Sequence, residues 1–217
     1  MNTEIEKNIM KTGTTILTIV CKDGVVMGAD RRVTAGNIIM GKAEQKVRQL
    51  NDYLVIAWCG NAADAALSGK VIAAELKLKE LKTKSRPTVK EAANLVGMMY
   101  YRNIRSPSML PHVVGALIGG FNEDGTYEAY TIEPAGGVYI VKEYDANFGS
   151  GMPFVLGLLE RQWHPNLTVK EGTELAVEAI KSSTQRDSAS GNGMDIFAIT
   201  KDGIKQVVSQ KIIATYN

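Results

Sequence analysis

The chain has 217 residues, with 25 lysines and arginines against 23 aspartates and glutamates and 45% hydrophobic residues. A formal charge of +2 leaves no basic excess for a dedicated nucleic-acid surface, and no segment has the unbroken apolar length of a membrane span or a secretory signal. No Pro/Ser-rich linker, low-complexity tract or abrupt charge shift divides the sequence, so one soluble, cytoplasmic domain with a sizeable core is expected.

The first strand-like runs are Thr15 to Cys21, Val25 to Asp30 after a turn at Lys22-Asp23-Gly24, and Tyr53 to Cys59 after Asn51-Asp52. They are apolar on both alternating faces, which suits sheets covered on both sides. Cys21 and Cys59 fall inside these runs without metal-ligand spacing, so buried free thiols are expected. From Asn61, a capping residue, the period changes. Leu67, Val71, Ala74, Leu78 and Leu81 recur at spacings of four and three and predict the apolar face of a long amphipathic helix. The lysines between Lys77 and Lys84, with Arg86, are interrupted by Glu80 and read as a solvated face.

A second helix follows Pro87, where Thr88 and Glu91 form a capping box before Ala92, Leu95, Val96 and Met99. His112 to Phe121 and Thr126 to Ile132 predict a hairpin turning at Asn122-Glu123-Asp124-Gly125, and Val138 to Lys142 a further strand. A third helix follows Gly149-Ser150-Gly151-Met152-Pro153 and runs to about Trp163, while Thr168 with Glu171 caps a fourth that ends near Ser183. Asp195 to Thr200 and Ile204 to Ser209 close the chain as strands. This order of strands and helix pairs predicts an α+β fold, with two sheets stacked face to face and a helix pair on each outside.

The chemistry points to the Gly13-Thr14 junction at the head of the first strand. An internal threonine hydroxyl is a poor nucleophile, because nothing on its own residue can take the proton. Cutting the Gly13-Thr14 bond frees an α-amine, which ordinarily titrates at about 8 and can serve the adjacent hydroxyl as general base. Other motifs fall away. Lys11-Thr12-Gly13 lacks a serine with a lysine three residues on, Gly149-Ser150-Gly151 lacks the outer glycines of a nucleophile elbow, and Phe154 stands where a dinucleotide fingerprint needs its last glycine. His112 and His164 lie beside prolines at element ends, which suits structural or surface roles. What remains is a set of polar and charged residues at element ends: Asp30, Lys46, Ser150 and the run Arg186 to Gly191, with Gly60 where the third strand meets the first helix. Burying one such charge unpaired is expensive, and a mutually neutralising cluster is cheaper.

Thr12-Gly13-Thr14-Thr15, Met27-Gly28-Ala29-Asp30-Arg31-Arg32-Val33-Thr34, Gly60-Asn61-Ala62-Ala63-Asp64, Gly149-Ser150-Gly151 and Gln185-Arg186-Asp187-Ser188-Ala189-Ser190-Gly191 together resemble the motifs of proteasome β subunits of the archaeal type. The resemblance runs from Thr12 to about Ser209, with the motifs in the family's order and spacing. It implies a threonine-type endopeptidase of the N-terminal-nucleophile hydrolase class with a four-layer αββα sandwich. Residues 1–13 would be a propeptide removed autocatalytically, and residues 14–217 a single peptidase domain.

Carried over residue by residue, the resemblance makes Thr14 the nucleophile and Asp30 and Lys46 its charged partners. Ser150, Asp187 and Ser190 would form the polar shell around the new amine, and Gly60 the oxyanion position. Thr34 and Ala62 would pair with an extended substrate backbone, and Val33, Glu44, Trp58 and Ala62 fall at the side-chain pocket. Trp58 is bulkier than expected there, so it either makes the pocket shallow or only fills core volume. The resemblance implies no metal or organic cofactor. The partners it implies are other β subunits in heptameric rings, capping α-subunit rings, unfolded polypeptide as substrate and, indirectly, a regulatory ATPase. Apolar faces such as that with Met98, Met99, Tyr100 and Tyr101 could serve ring contacts. The bacterial two-ring relative lacks the segment from Arg186 to Gly191. Non-catalytic ring subunits usually lose the threonine, the lysine or the preceding glycine, all of which are present here.

Overall fold

The structure is a computed structural model that describes residues 13–146 and 148–212, so the expected propeptide before Gly13 lies outside the described residues. One five-stranded antiparallel sheet has the order β10 (Tyr144–Asp145), β1 (Ile16–Cys21), β2 (Gly24–Asp30), β11 (Gly193–Thr200) and β12 (Gly203–Lys211). A second has the order β5 (Val47–Asn51), β6 (Leu54–Gly60), β7 (Val114–Phe121), β8 (Tyr127–Ile132) and β9 (Val138–Val141). A two-stranded ribbon pairs β3 (Val33–Ala35) with β4 (Ile38–Gly41). Helices α1 (Ala62–Thr83) and α2 (Val89–Arg105) follow β6, and α3 (Met152–Gln162) and α4 (Val169–Arg186) precede β11. The expected capping boxes at Thr88/Glu91 and Thr168/Glu171 are both formed, and Asn61 caps α1.

Strands that are apolar on both faces need partners on both faces, and β6 shows how they are met. Leu54, Ile56 and Trp58 join a cluster with Ile72 and Leu76 of α1 and Val96 and Tyr100 of α2. Val55, Ala57 and Cys59 point the other way, into a cluster shared with Ile16, Val25, Met27 and Ile199 of the first sheet. A third cluster joins Leu17, Ile19 and Ile196 of that sheet to Leu159 of α3 and Ala176 and Ile180 of α4. The result is a mixed α/β fold in which each sheet has a helix pair against it.

Three expectations need correction. The stripe expected to bury α1 is its exposed face, with Leu67 64% and Leu81 65% accessible, and the buried residues are Ala65, Ser68, Gly69, Ile72 and Leu76. Periodicity selected the larger apolar residues. Packing selected the neighbouring stripe, in which Ile72 and Leu76 enter the core while the Trp58 ring leaves room only for glycine at position 69. Tyr100 belongs to the core rather than to a spare face, while Met98 and Tyr101 are exposed. The helix expected to follow the segment from Gly149 to Pro153 begins within it, at Met152, with Gly151 at the cap and no side-chain bond there. The strands β3, β4, β5 and β10 went unread because they are short and partly exposed, and their pairing comes from neighbours rather than from their own pattern. Among the described residues no helix is long and apolar enough to cross a membrane.

Candidate active site

The β1–β2 hairpin places Thr15 beside Asp30. The Asp30 N–H donates to Thr15 O (3.0 Å), and the Thr15 N–H returns a bond to Asp30 Oδ1 (2.8 Å). Lys46 precedes β5 and is fixed from β6, where the Trp58 N–H donates to its carbonyl (2.9 Å). Its Nζ lies 2.7 Å from Asp30 Oδ1 and 3.4 Å from the carbonyl oxygen of Gly13. Asp30 is fully buried, and its second oxygen accepts the N–H groups of Arg32 and Gly191, both at 2.9 Å. Desolvating a carboxylate costs several kcal/mol. Four donors to one carboxylate offset that cost and lock the lysine's direction.

In this uncut chain the Thr14 nitrogen is an amide, and it marks where the amine would stand after cleavage. Its N–H donates to Ser150 Oγ (3.3 Å), and Ser150 donates to Asp187 Oδ2 (2.6 Å). Ser190 donates to the same oxygen (2.5 Å) and lies 2.8 Å from Thr15 Oγ1, which also donates to Ser183 Oγ (2.9 Å). Ser183 in turn donates to the Ile180 carbonyl. Three hydroxyl protons, those of Thr15, Ser183 and Ser190, are shared among four contacts, so proton positions can change by hydroxyl rotation alone. The loop that carries Ser190 is held by Arg32, which donates to Ser188 O (2.7 Å) and Asn192 Oδ1 (2.8 Å). Gly149 and Gly151 flank Ser150 for lack of space, since a Cβ on either would lie within 2.0 Å of Thr14 O or Thr15 Oγ1.

The carbonyl before Thr14 is the best-defined feature of the cluster. Gly13 O accepts the Thr14 hydroxyl (2.6 Å) as well as facing Lys46, and the Gly13 N–H donates to Thr34 Oγ1 (3.1 Å). A Cβ on Gly13 would lie 1.8 Å from Ala189 Cβ, so only glycine fits ahead of the threonine. Beside this junction is a cleft of about 40 Å³, lined by Gly13, Thr14, Lys46 and Gly60 together with the four expected pocket residues Val33, Glu44, Trp58 and Ala62. Gly60 has φ +124°, and a Cβ there would meet Val113 O at 2.2 Å. Its backbone requires glycine before any substrate is considered.

All six residues expected around the nucleophile therefore meet in one cluster, with Thr34 reaching Gly13. Four contributors escaped sequence reading. Thr15 and Arg32 entered only as members of motifs. Arg48, paired with Glu44 (2.8 Å), and Ser183 were not singled out at all. Ser183 left a signal, as a polar residue on the otherwise apolar face of α4. Neither histidine reaches the cleft. The His112 ring packs tilted against Tyr100 and meets Ser68 Oγ at 3.3 Å, and His164 is exposed. Burial pushes the Cys59 thiol up to about 11 despite the nearby Lys46 ammonium, so it is a neutral neighbour and not a rival nucleophile. Among the described residues no group of His, Cys, Asp and Glu is arranged to hold a metal ion.

The proteasome subunit family matches this sequence over residues 10–199, a span that includes every residue of the cluster. The chain belongs to the proteasome subunit family. The proteasome subunit beta of Archaeoglobus fulgidus is 38% identical over 208 residues, covering 96% of this chain and 94% of the relative. That of Archaeoglobus profundus is 37% identical over 210 residues, with the same two shares. The proteasome subunit beta 2 of Pyrococcus abyssi is 36% identical over 202 residues, covering 93% and 94%. Family membership makes this chain one component of an assembly of proteasome subunits.

Proposed function

We propose that the chain is a catalytic β-type subunit of a 20S proteasome core, a threonine-type endopeptidase that degrades unfolded polypeptide with Thr14 as N-terminal nucleophile. The observation that carries this reading is the Gly13 carbonyl, held between the Thr14 hydroxyl and the Lys46 ammonium while the Thr14 nitrogen faces Ser150. In the uncut chain Thr14 Oγ1 adds to the Gly13 carbonyl carbon, and Lys46 steadies the negative charge that develops. Collapse with C–N cleavage, the proton given up by the hydroxyl passing to the leaving nitrogen, leaves Gly13 as an ester on Thr14 Oγ1 and frees the amine, and water then releases residues 1–13. The mature domain is residues 14–217.

In the mature subunit the freed amine takes the hydroxyl proton as Thr14 attacks a substrate carbonyl. Asp30 holds Lys46 directed at the reacting oxygens. The tetrahedral oxyanion forms beside Gly60, and collapse expels the peptide amine with the proton held by the α-amine. That amine then activates water to cleave the ester. Ser150, Asp187 and Ser190 orient the amine and carry its protons, Thr34 and Ala62 flank the extended substrate, and Val33, Glu44, Trp58 and Ala62 receive its side chain. The three hydrophobic clusters support a four-layer αββα sandwich of the N-terminal-nucleophile type. Heptameric β rings capped by α rings and fed by an ATPase would confine so unselective a peptidase.

Thr14→Ala tests the reading. Expressed with its partner subunits, the variant should assemble, keep residues 1–13 and cleave no peptide. Substantial peptidase activity in that variant would assign the chemistry to another nucleophile.

A further inference from the structure

Ser150 faces the nitrogen of Thr14 from a loop whose path is set two residues earlier. Phe148 has φ +71°, in the left-handed region that glycine and asparagine enter readily and an aromatic residue rarely does. A residue stays in such a conformation only where its surroundings hold it there. Two neighbours on the second sheet do so. The Cys59 thiol of β6 donates to the Phe148 carbonyl, and the Phe148 ring lies on Gly115 of β7, where a Cβ would come within 2.5 Å of Cδ2 and 2.7 Å of Cγ. Cys59 and Gly115 are direct partners across the two strands, so the thiol and the bare backbone beneath the ring form one seat.

Beyond Phe148 the chain runs directly over the junction. A Cβ on Gly149 would lie 2.0 Å from Thr14 O, and the Gly151 N–H donates to that same oxygen (3.3 Å). Ser150, between them, accepts the Thr14 N–H and donates in turn to Asp187. In the other direction Cys59 is followed along β6 by Gly60, the position proposed for the oxyanion. The thiol is suited to hold rather than to react. Burial pushes it up to about 11 against the pull of the Lys46 ammonium and the Thr14 hydroxyl, so it keeps its proton and remains a donor. One strand thus carries, on consecutive residues, the anchor of the loop that presents Ser150 and the oxyanion position.

We infer that Cys59 is a positioning residue: its S–H holds the Phe148 carbonyl, and through the left-handed turn at Phe148 it fixes Ser150 against the α-amine of Thr14 at a set distance from Gly60. This inference rests on the peptidase reading above. Ser150 accepts from the amine and links it to the Asp187 carboxylate, a relay that favours the protonated amine, so loosening the relay makes the amine easier to deprotonate. In assembled particles of the full chain, Cys59→Ala should lower kcat by about 10- to 100-fold, the upper figure being the cost of a misplacement of about 1 Å. KM should stay within about twofold of wild type, because ground-state contacts with the substrate are kept. The acid limb of the pH–rate profile should move to lower pH. Cys59→Ser, which restores a donor, should recover most of the rate and return the limb. Gly115→Ala should unseat the Phe148 ring and reproduce the Cys59→Ala signature from the neighbouring strand. A Cys59→Ala chain that keeps residues 1–13, with their removal restored in Cys59→Ser, supports the inference equally, since Ser150 holds the Thr14 nitrogen before the cut. A Cys59→Ala particle with wild-type kcat and pH profile, or a Cys59→Ser particle as impaired as Cys59→Ala, overturns the inference and leaves the peptidase reading standing. Absence of any Thr14-dependent cleavage in wild type overturns both.

Discussion

Two cations are buried against carboxylates, and they are built for different ends. Arg31 and Asp195 have side chains 5% and 1% exposed, and Lys46 and Asp30 have 7% and 0%. Arg31 closes on Asp195 with both Nε (2.8 Å) and Nη2, adds Ser209 Oγ (2.9 Å), and leaves the carboxylate its remaining bond from Gln206 (2.7 Å). That hydrogen bonding with Asp195 pushes the guanidinium further up from its already high value. Lys46 makes one point contact with Asp30 and turns the rest of its charge toward Gly13 O. Equal burial thus accompanies a closed fork in one pair and a directed charge in the other. The difference lies in whether the cation's donors end on the carboxylate or reach past it to the Gly13 carbonyl.

The sharpest separation of the two pairs comes from removing each cation. Lys46→Met should lower peptide hydrolysis by about 10²-fold or more, within the range for losing a positioned group that assists proton transfer, and should leave residues 1–13 attached; rate and intact mass on assembled particles read both effects. Arg31→Met should instead lower stability by about 3–5 kcal/mol, the usual result of stranding one member of a buried pair. Denaturant titration checks this, and the folded fraction should still be processed. If Arg31→Met blocked processing as completely as Lys46→Met, the division of labour would be wrong.

A smaller effect is expected at Thr15, whose hydroxyl bridges Ser183 and Ser190. Thr15→Val keeps the β-branched shape and removes the bridge. It should lower stability by about 1–3 kcal/mol and slow hydrolysis several-fold, with the pH–rate profile displaced as Ser190 loses a partner. The smallest effect lies in alkaline solution. Burial pushes the Cys21 thiol from its ordinary 9.0 to about 12 and the Cys59 thiol to about 11. Above pH 9 the unfolded chain releases thiol protons that the native state retains. Both contributions are therefore complete below pH 9 and shrink as pH rises toward 11, by about 1 kcal/mol per thiol per pH unit. Urea titrations from pH 8 to 11 should show the decline, and Cys59→Ala should make it shallower while the Cys21 contribution remains.

The contrast between the two ion pairs was only half legible in the sequence. Asp30 and Lys46 were expected at the site from the family resemblance, and the element order followed from periodicity and caps such as Thr88/Glu91. Arg31 and Arg32 stand side by side in the same motif, and nothing in their order reveals that one locks onto Asp195 while the other holds the loop at Ser188. Both arginines lie in the link between β2 and β3, and their partners are more than 150 residues away in sequence. The face of α1 was misread for a related reason. A period of 3.6 finds apolar stripes, and α1 has two. Which one turns inward depends on Trp58, a residue on another element that only Gly69 can accommodate.

The central claim is that the Lys46 charge and the Thr14 hydroxyl converge on Gly13 in order to cut there and expose the nucleophile. Intact mass of the wild-type chain in the assembled, peptide-cleaving particle tests it most directly. The account predicts a chain that begins at Thr14, with residues 1–13 gone. A chain that still carries Gly13 in an active particle would contradict it.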